Sequence, residues 1–473
     1  MDTLLCYNNN MVDFINTLTP YSPLYFLWHL LLLLILIDMT NRRRDPAIMI
    51  SWFLVLLTLP YLGIFFYFLI GRRKIRETPL KSSFSMPTKE DESELTLLEN
   101  VLNRYGMPKA TEGNEFQLIS SATEAYGQLM KAIEEAEESI YLATYIFDDD
   151  AVTKKIIEAL AKKSQEGIDV RLLIDSFGSL KLYLWSKALE PLYSAGVKVE
   201  FFMPLRPFWY NTHINLRLHR KIYLFDKKIV FSGGMNLSST YLGKDSTVEQ
   251  WDDLLFSIKG SAVAYYYNVF ISDWNFTVDV KEPLLSPSQS ILNIGEERIQ
   301  VVPSGPDIDS DTFYDALLVA IYAAKERIWI VSPYFIPNNS LLEALRIAHK
   351  KGVEVKLITP KVSDNIFINI ARRSYLHEIH DWGGKVALYH KKMLHAKAFL
   401  IDNSTAIVGT LNFDNRSFFL NYEIVSIGYS LNMIREVEEW MLELLDKSTL
   451  GMESVGKVEK FLENLGRIIA PQI

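Results

Sequence analysis

The sequence predicts an α/β protein made of two related halves that pack about a pseudo-two-fold axis, preceded by two N-terminal membrane helices. Three observations predict it. The first seventy-odd residues are hydrophobic and sparsely charged, the remainder alternates amphipathic helical stretches with short β-rich runs, and that alternation happens twice. A length of 473 residues allows two or three domains of ordinary size.

The membrane region comes first. No Asp, Glu, Lys or Arg occurs between Phe14 and Ile37, and Leu24 to Ile37 is broken only by His29. A second uncharged run, Ala47 to Ile70, would as a helix cover roughly 36 Å, enough for a bilayer core of about 30 Å. The first run is shorter in its fully apolar part, and two spans are the expectation. A cleaved signal peptide needs a basic n-region, and no Lys or Arg precedes Arg42. Arg42, Arg43 and Arg44 in the hinge nearly balance Arg72, Arg73, Lys74 and Arg76 after the second run, so charge does not orient the pair. Asp45 and Pro46 read as N-cap and first residue of the second helix. Polar residues with Pro79, Pro87 and an acidic patch from Glu90 to Glu94 mark a linker. The expected division is an anchor region over 1–76, a linker over 77–104, and two domains over 105–290 and 291–473.

In the first half, Ser139 to Phe147, Val170 to Ile174 and Val197 to Phe202 read as strands, and Ala122 to Glu137 and Lys154 to Gln165 as amphipathic helices. Ser139-Ile-Tyr-Leu-Ala-Thr-Tyr-Ile-Phe returns 188 residues later as Arg327-Ile-Trp-Ile-Val-Ser-Pro-Tyr-Phe. Gly167-Ile-Asp-Val-Arg-Leu-Leu-Ile-Asp returns 185 residues later as Gly352-Val-Glu-Val-Lys-Leu-Ile-Thr-Pro. Offsets this long suit a duplicated domain rather than a solenoid, and a two-fold axis would bring equivalent loops together.

The third repeated element bears chemistry. His219-Arg-Lys221-Ile-Tyr-Leu-Phe-Asp226 is followed after six residues by Gly233-Gly-Met-Asn236, and His395-Ala-Lys397-Ala-Phe-Leu-Ile-Asp402 after the same six by Gly409-Thr-Leu-Asn412. On an extended strand, His and Lys two apart share a face. If the halves pair, two imidazoles and two ammonium groups surround one point, joined by the amides of Asn236 and Asn412. That constellation suits a phosphodiester. Lysines and asparagines can hold the non-bridging oxygens as negative charge grows on them. One histidine can attack phosphorus, and the other can protonate the leaving alcohol and later deprotonate the incoming one. Neither a metal nor a cofactor is required. A carboxylate on the far ring nitrogen would fix the tautomer, and Asp253 and Glu423 are the candidates. A lone His-x-Lys is ordinarily a surface or core-edge pair, but two copies with matched Gly-x-x-Asn turns are hard to obtain by chance. His213, His349, His377, His380 and His390 have no such company and read as structural or surface histidines.

Composition excludes several classes. A net charge of -8 and a pI near 5.6 disfavour nucleic acid as substrate. Cys6 is the one cysteine and has no thiol or histidine nearby in sequence, which supports neither a disulfide nor thiolate-bound zinc.

With these two motifs and the wider repeat, the sequence resembles the cardiolipin synthases of the phospholipase D superfamily over nearly its whole length. The shared strings include Arg44-Asp-Pro-Ala, Leu218-His-Arg-Lys, Trp251-Asp-Asp253, Gln300-Val-Val-Pro-Ser-Gly-Pro and, most diagnostic, Gly409-Thr-Leu-Asn-Phe-Asp-Asn-Arg-Ser-Phe-Phe-Leu-Asn-Tyr-Glu423. The resemblance implies phospholipase D-like domains of mixed sheets flanked by helices. It implies that two phosphatidylglycerols give cardiolipin and glycerol through a phosphatidyl-histidine. His219, Lys221, Asn236, His395, Lys397 and Asn412 match the catalytic pattern, and Asp226 and Asp402 its two aspartates, which in the family tend to be supporting. By analogy His219 is the nucleophile and His395 the acid/base, with the swap left open by pseudo-symmetry. The wider superfamily often has Gly-Ser where this chain has Gly233-Gly, which implies one missing hydroxyl contact to phosphate. The implied partners are phospholipids and the membrane, without nucleic acid, and a homo-oligomer stays an open option. The implied location is the cell membrane with the catalytic part cytoplasmic. Phe201-Phe202 with Pro207-Phe-Trp-Tyr210 reads equally as an interfacial aromatic surface or as core. The competing functions are a phospholipase D hydrolase, transfer to another alcohol, a nuclease, and an inactive membrane scaffold.

Overall fold

The structure is a computed structural model that describes residues 23–41, 46–59, 61–64, 67, 95–205, 215–244, 248–285, 293–308, 310–453 and 455–469. It divides into two compact units, Met1–Ile75 and Arg76–Ile473.

In the first unit the two apolar runs are helical, α1 over Pro23–Asn41 and α2 over Pro46–Thr58. Pro46 opens α2 because its missing N–H would be unbonded there in any case. The helices share a small cluster of Ile35, Met39, Trp52, Leu56 and Tyr67, and the Tyr67 hydroxyl donates to Asp38 Oδ2 at 2.6 Å. Among the described residues, no helix is long and apolar enough to cross a membrane, so the expected two spans are not found there. The 13 residues of α2 extend about 20 Å at 1.5 Å per residue, short of a core of about 30 Å. Asp45 and the two arginine clusters lie outside the described residues, as do Cys6 and the 207–210 aromatics.

The second unit opens with α3 (Leu97–Arg104). Composition placed these residues in the linker, but Leu98 and Leu102 are buried in the core around Phe313 and Leu317. The following strands are β1 (Thr111–Ile119), β2 (Ser139–Thr144), β3 (Asp169–Asp175), β4 (Lys198–Phe202), β5 (Ile222–Phe225), β6 (Ile229–Gly233) and β7 (Leu255–Lys259). Then come β8 (Glu297–Ser304), β9 (Arg327–Val331), β10 (Phe335–Ile336), β11 (Glu354–Pro360), β12 (Lys385–Tyr389), β13 (Ala398–Ile401), β14 (Thr405–Gly409), β15 (Phe413–Asp414), β16 (Glu423–Gly428) and β17 (Ser448–Leu450). Apart from the short β10–β15 pair, these form one mixed sheet in the order β17-β12-β11-β9-β13-β14-β16-β8-β1-β7-β6-β5-β2-β3-β4. Read outward from the central β8–β1 pair, the two arms match strand for strand. One arm runs β7-β6-β5-β2-β3-β4, and the other runs β16-β14-β13-β9-β11-β12 with β17 added at its edge.

The strands expected from sequence appear with small shifts. The run from Ser139 stops at Thr144, whose hydroxyl donates to the Ile146 carbonyl at 2.9 Å and turns the chain. β2 is buried throughout and β3 nearly so, because parallel strands are covered on both faces. Helices α4 (Ala122–Glu135) and α5 (Ala151–Gln165) cover one face of the first arm. A capping box starts α5, in which the Asp150 carboxylate accepts from the Thr153 amide while the Thr153 hydroxyl accepts from the Asp150 amide. Helix α6 (Val263–Val278) lies over the strands of both arms. The second arm is covered by α7 (Thr312–Ala323), α8 (Asn339–Lys350) and α9 (Ile366–Asp381). Helix α10 (Leu431–Asp446) joins α6 in the shared core, where Trp274 and Phe256 meet Val331, Met433 and Trp440. This common core fixes the inner faces of the two arms against each other.

Candidate active site

Each histidine motif begins as an extended segment that hydrogen-bonds to the opposite arm. The His219 amide donates to the Tyr422 carbonyl at 2.9 Å, and the Tyr422 amide donates to the Arg217 carbonyl at 2.9 Å. The second motif repeats the pattern: the His395 amide donates to the Asp252 carbonyl at 2.7 Å, and the Asp252 amide to the Met393 carbonyl at 2.9 Å. These bridges, Leu218 to Tyr422 and Leu394 to Asp252, place the next residue of the opposite arm beside each imidazole.

That residue is a carboxylate in both cases. His219 Nδ1 lies 2.8 Å from Glu423 Oε2, and His395 Nδ1 lies 2.7 Å from Asp253 Oδ2. The sequence offered each carboxylate by its distance from the histidine of its own half, Asp253 34 residues after His219 and Glu423 28 after His395; the structure crosses them between the arms. All four side chains are nearly or wholly buried. Glu423 and Asp253 are held below the ordinary carboxylate range, although burial is the largest single influence and pushes each up. The imidazoles and lysines overcome it, together with hydrogen bonds from neighbouring groups.

Burial is also the largest influence on the imidazoles and pushes each down to about 4, against the upward pull of its carboxylate. Both rings are therefore neutral near pH 7. With the proton on Nδ1, shared with the carboxylate, each Nε2 has a lone pair. The lysines are equally desolvated: Lys221 is pushed down to about 7 and Lys397 to about 8, mainly by burial. Each histidine also feels the ammonium of the other motif, Lys397 acting on His219 and Lys221 on His395. Lys397 Nζ stands 2.8 Å from His395 Nδ1 and 3.0 Å from Nε2, and it also bonds the His395 carbonyl. Lys221 Nζ donates to the His219 carbonyl at 2.9 Å.

The Gly-x-x-Asn turns follow β6 and β14. Asn236 Oδ1 accepts from the Ile146 amide at 3.1 Å, while Asn412 Oδ1 is buried without a hydrogen-bond partner among the described residues. Thr410 Oγ1 donates to Glu423 Oε2 at 2.6 Å. At the matching position a Cβ on Gly234 would come within 2.0 Å of Asp253 Oδ1. In the second turn the hydroxyl therefore bonds the carboxylate behind the imidazole, and the first turn has no equivalent group.

Asp226 and Asp402 are not brought to the imidazoles. Each sits in a left-handed turn, with φ of 51° and 53°, at the far end of the strand that follows its motif. Seven residues of extended chain separate it from its histidine, roughly 23 Å. Asp226 accepts from the amides of Glu137, Glu138 and Ser139, and Asp402 from those of Lys325, Glu326 and Arg327. They tie the start of β2 and β9 to the hairpins β5–β6 and β13–β14.

Several neighbours were given no role from the sequence. Tyr145 stands edge-on to His219 with centroids 5.3 Å apart, and Tyr241 and Trp251 pack on His395 at 5.4 and 5.3 Å. The Tyr334 ring lies 6.1 Å from His395, and its hydroxyl donates to Asp364 Oδ1 at 2.9 Å. Arg220, between His219 and Lys221, is wholly buried. It donates to Asp273 Oδ1 at 2.6 Å, to Asp307 Oδ2 at 3.1 Å and to the Glu423 carbonyl at 3.1 Å, which anchors the first motif to the opposite arm. Its counterpart is Ala396. The hydrophobic residue types of the two tyrosine-bearing strands were legible, but not that their tyrosines line the imidazoles. Of the other histidines, His349 packs on Trp382 and His377 lies 3.5 Å from Glu463 Oε2, while His213 lies outside the described residues. Phe202 is core and Phe201 is half-buried beside Tyr183. Among the described residues, no group of three or more His, Cys, Asp or Glu is placed to hold a metal ion.

Comparison with known proteins shows the family. A family model described as "Cardiolipin synthase, PLD-like domain" matches twice, over residues 129–274 and 317–445, and one described as "Phospholipase_D-nuclease N-terminal" matches 30–72. A cardiolipin synthase of Clostridium perfringens is 32% identical over 455 residues, spanning 91% of this chain and 95% of its own. Cardiolipin synthase 1 of Bacillus anthracis is 30% identical over 492 residues, spanning 96% and 95%. The crystal structure of phosphatidylserine synthase from Haemophilus influenzae superposes with a TM-score of 0.58 at 13% identity, over 76% of this chain and 95% of that one, and so shares the fold. The family model covers more than half of the sequence and the relatives nearly all of it, and the chain belongs to the cardiolipin synthase family of phospholipase D-like phosphatidyltransferases.

Proposed function

We propose that this chain moves a phosphatidyl group from one phosphatidylglycerol-type lipid to the terminal hydroxyl of another, giving cardiolipin and glycerol through a phosphohistidine. One observation carries the reading: two neutral imidazoles, each oriented by a carboxylate from the opposite arm, with both motif lysines buried among them. His219 is taken as nucleophile and His395 as acid/base, with Lys397 close enough to His395 Nε2, at 3.0 Å, to influence its proton.

In the first step His219 Nε2 attacks phosphorus. The bond to the headgroup glycerol breaks as His395 protonates the departing oxygen, which requires His395 to have gained a proton. The bound phosphodiester anion favours that by raising the imidazole's pKa. Lys221, Lys397, Asn236 and Asn412 surround the non-bridging oxygens, and a buried donor set stabilises the trigonal-bipyramidal charge more than water would. In the second step His395 removes the proton of the incoming hydroxyl, which attacks phosphorus and frees His219. One phosphodiester is exchanged for another, so concentrations of lipid and glycerol set the direction.

The reading treats 105–290 and 291–473 as duplicated phospholipase D-like domains about a pseudo-two-fold axis, which the matched strand order of the two arms supports. It places the chain at the membrane, where both substrates reside, with the two apolar runs in 1–76 as a multi-pass anchor and the catalytic part on the cytoplasmic side. Holding the site at the lipid surface replaces a search in solution by one within the leaflet. Mass spectrometry of lipids after incubating the purified protein with phosphatidylglycerol tests the reading. Cardiolipin and glycerol, reversed by excess glycerol and absent in His219→Ala and His395→Ala, are expected. Phosphatidic acid and glycerol alone would make the protein a hydrolase instead.

A further inference from the structure

The extended segment that presents His219 and Lys221 bears a third cation on the same face. Arg217 precedes His219 by two residues, so the alternation of an extended chain puts Arg217, His219 and Lys221 on one side, with Arg217 about 7 Å along from the imidazole. Arg217 is 3% exposed, and its guanidinium is only partly used. Nη1 donates to Ser176 Oγ at 3.1 Å and lies 3.4 Å from Asp175 Oδ1, while Nε and Nη2 are buried and have no hydrogen-bond partner among the described residues. Asp175 is itself largely committed elsewhere, since it accepts from the amides of Phe177, Gly178 and Leu218.

A second arginine stands in the same neighbourhood. Arg416 donates through Nη1 to Asn215 Oδ1 at 2.8 Å and through Nη2 to the Asn215 carbonyl at 3.1 Å, and among the described residues it forms no ion pair with a carboxylate. The charges of Arg217 and Arg416 act on each other's surroundings and both act on the Tyr145 hydroxyl, whose ring is the one edge-on to His219. The arrangement is not duplicated. At the positions matching Arg217 and Arg416, the other repeat has Met393 and Thr240. Buried donors without partners are uncommon in folded proteins, and two forked guanidinium groups are suited to a phosphate's paired oxygens.

We propose that Arg217 and Arg416 form a second phosphodiester-binding site, which holds the phosphate of the acceptor lipid while its terminal hydroxyl attacks the phosphohistidine. The proposal rests on the phosphatidyl-transfer reading above. In that step the phosphorus–nitrogen bond breaks, the new phosphorus–oxygen bond forms, and the hydroxyl proton passes to the free imidazole. The donor lipid has one phosphate, already held by the two lysines. Only an acceptor with a phosphate one glycerol away can use a second anion site, and water and free glycerol cannot. The site thus favours lipid over water without acting on the first step.

The test compares two acceptors in one vessel. Full-length protein is incubated with phosphatidylglycerol vesicles and deuterated glycerol, and mass spectrometry reads both cardiolipin formed and deuterated glycerol exchanged into phosphatidylglycerol. Exchange requires the phosphohistidine but no second phosphate. In Arg217→Gln and Arg416→Gln the ratio of cardiolipin to exchange is expected to fall roughly 10- to 100-fold, the range for a lost charged hydrogen bond. An unchanged ratio in a variant that still exchanges glycerol overturns the proposal. If Arg217→Gln does not fold, Arg416→Gln and Arg217→Lys decide the matter by the same ratio. Inorganic phosphate is titrated in parallel. If it suppresses exchange as well as cardiolipin in the wild type but not in the variants, a free anion rather than the acceptor lipid occupies the site, and the proposal fails. Absence of both products from the wild type would instead sink the transfer reading itself.

Discussion

Thr410 donates its hydroxyl to the same Glu423 oxygen, Oε2, that receives His219 Nδ1, at 2.6 Å and 2.8 Å respectively. The threonine also accepts from the Ile424 amide at 3.0 Å, so the carboxylate is fixed by the turn of its own arm while it orients the imidazole of the other. Removing the carboxylate's charge should therefore cost more than removing the hydroxyl behind it. Glu423→Gln is expected to lower the rate of cardiolipin formation roughly 10³- to 10⁴-fold, as for other wrongly oriented catalytic histidines. Thr410→Val should lower it about 10-fold, with activity recovered by Thr410→Ser. Steady-state rates of the three purified variants check this, and an equally inactive Thr410→Ser would refute the role assigned to the hydroxyl.

The first repeat has no room for that hydroxyl. Because a Cβ at Gly234 would meet Asp253 Oδ1 at 2.0 Å, Gly234→Ala must displace the carboxylate that holds His395. Activity should fall by about the same 10²- to 10³-fold as in Asp253→Asn, and adding Gly234→Ala to Asp253→Asn should cost little more, since groups acting as one unit are not additive. A double-mutant cycle on cardiolipin formation measures this. Fully multiplicative losses would show that the glycine and the carboxylate act separately.

The pH dependence has a definite sign. The imidazoles are neutral above about pH 4, so the nucleophile is lost only as pH falls through that value. The ammonium groups lose their protons as pH rises through about 7 for Lys221 and about 8 for Lys397, and with them goes the attraction for the phosphodiester. kcat/KM, which reports the free enzyme, should fall above about pH 4, where His395 loses the proton that the first step requires, and fall more steeply between pH 7 and 8 as the lysines neutralise. A bound phosphate anion raises both lysines, so the alkaline limb of kcat should lie higher than that of kcat/KM. Coincident alkaline limbs would mean that the lysines do not contact the bound lipid.

Much of this site is legible in the sequence. His219, Lys221, His395 and Lys397 repeat with fixed spacing, and periodicity along a strand is a local property that a sequence displays. The runs that became β2 and β3 were visible because strands covered on both faces are mostly apolar, and β4 because its valine and phenylalanines stand between turn signals. What stayed hidden was long-range. The pairing of Glu423 with His219, 204 residues apart, depends on one backbone bridge between the arms. Arg220 and Tyr145 gave no sign of their roles, since an arginine between two motif residues reads as solvated surface until Asp273 and Asp307 are seen to enclose it. The linker was read too long because α3 is short and polar in its mean composition, although its Leu98 and Leu102 face α7.

The motif aspartates provide the last prediction, because their conservation of spacing invites a catalytic reading that their contacts oppose. Asp226 receives hydrogen bonds from three successive amides, and these hold its carboxyl below the ordinary range even though burial, the largest influence, pushes it up. A carboxyl lowered in the folded state stabilises the fold above its unfolded pKa, and that contribution is lost as pH falls through the folded value. Asp226→Asn keeps the shape and removes the charge, so it should destabilise by up to about 1 kcal/mol at pH 7, solvent screening included, and by less as the pH falls through the folded value. The folded fraction that remains should turn over with an unaltered kcat/KM profile, since the side chain sits far along the strand from the imidazoles. Thermal unfolding followed across pH, together with activity normalised to folded protein, separates the two readings. A variant with wild-type stability and a greatly reduced rate would return Asp226 to the chemistry.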